Sequence, residues 1–226
     1  MPGSAIRTAK PDVRYVARFT LTERAAHWIH AVAFFVLLAS GLVLYLPVLS
    51  EAVSNRPLVK GIHIYTAVAW AVALALVVVA GDRRSLRDTA SELNLFDEDD
   101  RRWLAAHPAP QGRFNAGQKL NAAVTAAFAV LFAVSGFLLW YGERDNDFRW
   151  ASTIILHDVL TVASVFLVSG HLYLTLIYPK TRHSLRGMTL GSVREDWAGE
   201  HHAKWVEEGA ADTRSTGPTS AADETR

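Results

Sequence analysis

Charge is missing from four long stretches of this chain and dense between them. Residues 25–46 contain no Asp, Glu, Lys or Arg, and neither do residues 61–81 or 120–142. Residues 153–179 carry only Asp158. Each stretch exceeds the roughly 18 apolar residues that mark a membrane-spanning helix. Lipid offers a backbone no hydrogen bonds, so a lone span must satisfy its own as a helix. The pattern predicts an all-α fold, a transmembrane four-helix bundle with spans over about 25–46, 58–81, 118–141 and 153–179. Trp28, Trp70, Trp140, Tyr141 and Trp150 fall near the ends of these runs, where interfacial aromatics concentrate.

The polar segments set the orientation. Residues 1–24 carry Arg7, Lys10, Arg14, Arg18 and Arg24 and no apolar core, so they read as a cytoplasmic N-terminal segment rather than a signal peptide. That segment, the loop from Asp82 to Lys119 and the tail from Lys180 hold 19 Lys and Arg, against four in the two opposite loops. The positive-inside rule then predicts that both termini and the middle loop are cytoplasmic. Within the loop, residues 91–96 and 99–106 predict short helices, the second starting near Asp99 and stopped by His107-Pro108. The acidic run Asp97–Asp100 reads as a solvated helix start. Residues 181–208 read as cytoplasmic juxtamembrane helices with surface histidines, and residues 209–226 as a disordered tail. No internal repeat is evident.

Composition narrows the chemistry. The 226 residues include no cysteine, which excludes disulfides, iron–sulfur clusters held by this chain, thiolate zinc and thioether-attached haem. A net charge of +1 gives no bulk argument for nucleic acid. Of nine histidines, His107, His183, His201 and His202 lie in loops or tail and read as surface residues. His27, His30, His63, His157 and His171 lie in or beside spans, where ionisable residues are costly and point to function.

Their depths pair them. His27 sits near the cytoplasmic start of span 1 and His171 toward the cytoplasmic end of span 4. His63 and His157 sit near the outer ends of spans 2 and 4. Residues 157 and 171 are 14 apart, about 40° from four full turns and about 21 Å along the axis, so both rings face one way. Two imidazoles per level suit bis-His haem iron, with His27 and His171 on an inner haem and His63 and His157 on an outer one. Such iron has no open position and shuttles electrons. Zinc wants three or four ligands in one place, and a proton relay normally mixes in carboxylates. His30 is a rival to His27, since the two share a helix face. His27 is favoured because Arg24, one turn earlier, is placed to hold a haem propionate. Gly41, Gly136 and Gly170 allow close approach of a flat ligand, and ordinary helix packing explains them equally well.

These residues resemble a known family. Glu-Arg-Ala-Ala-His-Trp (23–28), Gly-Ile-His (61–63), Arg-Phe-Asn-Ala-Gly-Gln-Lys (113–119), Ile-Leu-His (155–157), Gly-His-Leu-Tyr (170–173), Arg-Gly-Met (186–188), and Trp197 with His-His-x-x-Trp (201–205) occur in order. From about Phe19 to Glu208 the chain resembles the gamma subunit, a diheme cytochrome b, of membrane-bound respiratory formate dehydrogenases. The resemblance implies two b haems on His27, His63, His157 and His171. It implies a quinone site at the cytoplasmic side around Asn115, Gly117 and Gln118, near His171. Asn115 can donate to a quinone carbonyl and Gly117 can let the ring approach the backbone, although Asn115 also reads as the cap of span 3. The implied partners are an iron–sulfur beta subunit and a molybdenum or tungsten catalytic alpha subunit, besides lipid and quinone. Asp158 has no role that the family assigns; pairing with Arg149 or contact with a partner are its two readings.

The expected function is therefore a membrane anchor that passes electrons from the iron–sulfur subunit through two haems to quinone. With no molybdenum, flavin or nucleotide motif, the chain has no catalytic residue toward formate. Rival readings are the cytochrome b subunit of a hydrogenase or thiosulfate-type reductase, and a non-redox anchor or transporter.

Overall fold

The computed structural model describes residues 13–215. The expectations for residues 1–12 and for the tail beyond 215 lie outside the described residues. Helix α1 (Leu21–Tyr45) leads through the short α2 (Pro47–Val53) into α3 (Arg56–Ala80). Helices α4 (Arg83–Asn94) and α5 (Glu98–Leu104) follow. Helix α6 (Ala116–Gly142) and α7 (Ala151–Leu172) are joined by a 3₁₀ turn, and α7 runs on through one π turn to Ile177. The four long helices are those apolar enough to cross a membrane. Their outward side chains stay bare, as in Tyr65 (76% exposed) and Phe166 (74%), which in water would be a liability and in lipid is the expected surface.

Charge-free runs mark what lies in lipid, not where helices begin. Helix α1 starts at Leu21, ahead of its run, because Thr20 and Glu23 form a capping box: the Thr20 hydroxyl accepts from the Glu23 amide and Glu23 accepts from the Thr20 amide. Helix α6 starts at Ala116 behind a second capping box, made by Asn115 and Gln118. Helix α3 starts at Arg56 because the Asn55 side chain accepts from Leu58 N and Pro57 sits in the first turn.

Helices α1 and α3 form one antiparallel hairpin, and α6 and α7 another. Each hairpin is packed along its length, and no comparable seam joins one hairpin to the other within the spans. The start of α1, helices α4 and α5, the start of α6 and the described residues after Ile177 gather at one end, called here the broad face. Helix α2 and the 3₁₀ turn occupy the opposite, narrow face.

The broad face is more ordered than surface helices would be. Tyr15–Ala17 (β1) pairs antiparallel with Ser192–Arg194 (β2), with Val16 opposite Val193. Helices α8 (Leu185–Leu190), α9 (Glu195–His201) and α10 (Ala203–Ser215) flank this ribbon. Val193, Trp197 and Ala198 are buried there beneath Val16, Trp205 and Val206. His202, expected at the surface, is 1% exposed. The cause is that its Nδ1 donates to the Gly112 carbonyl at 2.7 Å while Nε2 accepts from Arg18 at 3.0 Å. Such a ring must be neutral, and burial followed by the Arg18 charge pushes its pKa down to about 3.

Three other expectations are corrected. The first loop helix is Arg83–Asn94 rather than 91–96, because Asp82 caps it through the amides of Arg84 and Ser85. The acidic run is not all solvated: Asp97 caps α5, and Asp100 is 2% exposed and paired with Lys119 at 2.5 Å. The segment 209–215 is helical, as part of α10.

Candidate functional site: two histidine pairs in the membrane

The hairpins approach each other through imidazoles. His27 on α1 faces His171 on α7, with ring centres 6.3 Å apart. His63 on α3 faces His157 on α7 at 6.4 Å. His27 lies six residues into α1, His63 seven into α3 and His157 six into α7, while His171 lies six before the end of the fourth span. At 1.5 Å per residue each sits about 10 Å inside its helix end, so the pairs occupy two levels. Helix α7 supplies one ring to each level and α6 supplies none.

His30 is turned elsewhere. Its Nδ1 accepts from Trp70 Nε1 at 3.2 Å, which ties it to α3. The ring opposite His171 is that of His27.

The narrow-level rings have matching supports. Ser40 Oγ lies 2.9 Å from His63 Nδ1, and Ser135 Oγ lies 2.9 Å from His157 Nδ1. The next residue in each case is glycine. A Cβ at Gly41 would stand 3.4 Å from His63 Cε1, and one at Gly136 would stand 3.7 Å from His157 Cε1. Both are ordinary van der Waals distances, so each glycine lies against its imidazole with room for no more than a methyl group. Gly170, beside His171, faces open space. Sequence reasoning missed both serines. The signal was present as Ser-Gly in the first helix of each hairpin, with histidine 23 and 22 residues after the serine.

A metal held between two imidazoles has bonds of about 2 Å, and each ring centre lies about 1 Å further out. The centres should then stand about 6 Å apart, as they do at both levels. Two imidazoles at this separation, one from each hairpin, suit the iron of a flat macrocycle. The residues fit that group.

The remaining candidates lie at the broad face. Arg24 donates through Nε to the Met188 carbonyl at 3.2 Å and through Nη2 to that of Thr189. Trp28 Nε1 donates to the same Met188 carbonyl at 2.9 Å. Arg24 thus holds the end of α8 and keeps both Nη1 hydrogens and one on Nη2 for another acceptor. The Asn115 carbonyl oxygen accepts from Gln118 N at 2.9 Å, and Gln118 Oε1 accepts from Asn115 N at 3.0 Å. The Asn115 amide nitrogen has no partner among the described residues. The Trp103 indole covers Gly117: a Cβ there would lie 3.1 Å from its ring. Arg113, in the same motif, pairs with Glu23 at 2.9 Å and Glu92 at 2.7 Å and donates to Thr89. Among the described residues Asp158 forms no ion pair, with Arg149 or any other residue.

A four-helix membrane bundle with two levels of opposed imidazoles defines the class: a membrane cytochrome b. Residues 18–191 match the family model described as prokaryotic cytochrome b561, and the chain belongs to that family. It is a membrane electron-transfer protein that carries haem b. It is similar to the formate dehydrogenase cytochrome b556(fdo) subunit of Escherichia coli K12, with 27% identity over 203 residues, covering 85% of this chain and 92% of the relative. The nitrate-inducible cytochrome b556(Fdn) subunit of the same strain is 23% identical over 211 residues, covering 86% and 92%. The formate dehydrogenase cytochrome b556 subunit of Haemophilus influenzae is 23% identical over 214 residues, covering 87% and 84%. These relatives carry the resemblance that the motifs had pointed to.

Proposed function

We propose that this chain is the membrane cytochrome b subunit of a formate dehydrogenase complex, anchoring it and passing electrons from an iron–sulfur subunit through two b haems to quinone. The observation that carries the reading is the pair of imidazole levels at 6.3 and 6.4 Å. Bound there, two haems supply single-electron transfer across the membrane, from the narrow face to the broad face. His63 and His157 hold the narrow-level iron, and His27 and His171 the broad-level iron. Arg24 has Nη1 left for a propionate of the broad-level group.

The excess of Lys and Arg supports a cytoplasmic broad face, with both termini there. The iron–sulfur subunit, itself fed by a molybdenum or tungsten subunit, then docks on the outer, narrow face. Quinone is reduced at the broad face, where protons are available from the cytoplasm. Asn115 spends its carbonyl on the helix cap and offers its amide hydrogens to a quinone carbonyl. Trp103, lying over Gly117, provides a flat wall beside Gln118.

The test is the reductant. Formate added to membranes containing the intact complex should reduce a b-type spectrum, and a tag on this chain should recover both partner subunits. Reduction by hydrogen and not by formate would make the chain a hydrogenase cytochrome b instead. A chain purified without haem would leave a bare anchor or transporter.

A further inference from the structure

The two serines beside the narrow-level rings do more than fill space. Ser40 Oγ lies 2.7 Å from the Val36 carbonyl, and Ser135 Oγ lies 2.7 Å from the Leu131 carbonyl. Two oxygens approach that closely only with a hydrogen between them, and a carbonyl has none to give. Each serine therefore donates its single hydrogen to its own helix. Its oxygen is left to accept, and the group facing it at 2.9 Å is a histidine Nδ1. His63 and His157 must then carry their proton on Nδ1, which leaves the Nε2 lone pair for the metal. Both serines are buried, at 7% and 0% exposure, so water does not compete for the bond. A hydrogen bond from the far nitrogen also makes an imidazole a stronger donor, which favours the more oxidised metal. Among the described residues no hydrogen bond reaches a ring nitrogen of His27 or His171.

Resting on the two-haem reading above, we propose that Ser40 and Ser135 are positioning residues for the narrow-level haem, fixing His63 and His157 as Nε2 ligands and holding that haem at a lower potential than the broad-level one. Transfer between the levels then runs downhill toward the broad face. One electron leaves the narrow-level iron, one arrives at the broad-level iron, and no bond forms or breaks. The reductant is the iron–sulfur partner.

Redox titration of the purified complex, followed in the haem absorption bands, tests this. In the parent, the lower of the two midpoints should belong to the haem that His63→Ala removes; the opposite assignment overturns the proposal without any serine variant. Ser135→Ala or Ser40→Ala should shift that haem's reduction equilibrium about tenfold toward the reduced form, about 59 mV for one electron, and leave the other midpoint in place. Ser135→Thr, which keeps the hydroxyl, should restore the parent value. Two haems with unmoved midpoints in both alanine variants, or two midpoints that move together, would also overturn it. A parent complex without two b haems per chain defeats the two-haem reading itself, which the haem count reveals before any titration.

Discussion

The two ends of the bundle are joined by opposite means. At the broad face the hairpins are locked by the protein alone. Arg113 ties the start of α1 to α4, Lys119 ties α6 to α5 through Asp100, and Arg18 and His202 close the module behind β1 and β2. At the narrow face one ion pair between half-exposed partners, Lys60 and Glu143, links α3 to the end of α6. What the narrow end has instead is a pair of serine-braced imidazoles with ring centres 6.4 Å apart. The contrast teaches that the broad end is preformed by protein contacts, while the narrow end has one exposed ion pair and two opposed imidazoles between its hairpins.

The largest effect should come from removing a narrow-level ligand. His157→Ala should abolish the narrow-level haem and spare at least part of the other, measured as haem per chain. Loss of both would mean that the two ends are not independent.

Next comes the preformed end. Lys119→Met leaves the Asp100 carboxylate, 2% exposed, without its cation. Truncating one partner of a buried pair costs about 3–5 kcal/mol, read as lost resistance to denaturant in detergent, with both haems still bound in the folded fraction.

Asn115→Ala follows. Losing a donor to a carbonyl that gains charge costs about 1.5–3 kcal/mol, roughly one to two orders of magnitude in rate. Formate-to-quinone turnover should fall by that factor, while formate still reduces both haems. Unchanged turnover would put the quinone elsewhere.

His202 adds a pH dependence at the broad face alone. Its folded pKa of about 3 lies below its unfolded value near 6.5. Between those values the unfolded chain binds a proton that the folded chain refuses. Stability is therefore complete above about pH 6.5 and is lost as pH falls toward 3. His202→Gln, which keeps a neutral acceptor and donor, should flatten that slope. The smallest effect belongs to Lys60→Gln at the narrow face, under about 1 kcal/mol for an exposed pair.

Much of this was legible in the sequence because membrane segments and intramembrane histidines are read residue by residue. A charge-free run of this length has few alternatives, and depth along a span follows from counting. The two levels emerged from that count, and the choice of His27 over His30 needed the position of Arg24 one turn earlier. The broad face was not legible, because three-residue strands have no periodicity and β1 meets β2 across the whole chain. Burial of His202 and Asp100 depends on partners far away in sequence, Gly112 and Arg18 for one and Lys119 for the other. Trp103 over Gly117 is of the same kind. The serine braces stood between: Ser-Gly recurs with histidine at nearly the same distance, but only the packed hairpins show hydroxyl and ring together.

The central claim is two separate bis-imidazole sites in one chain, and the most direct measurement is the haem content and spin state of the purified protein. Two b haems per chain, both low-spin with bis-histidine magnetic signatures, is the result the account predicts. One haem per chain, or a high-spin iron with an open position, would contradict it.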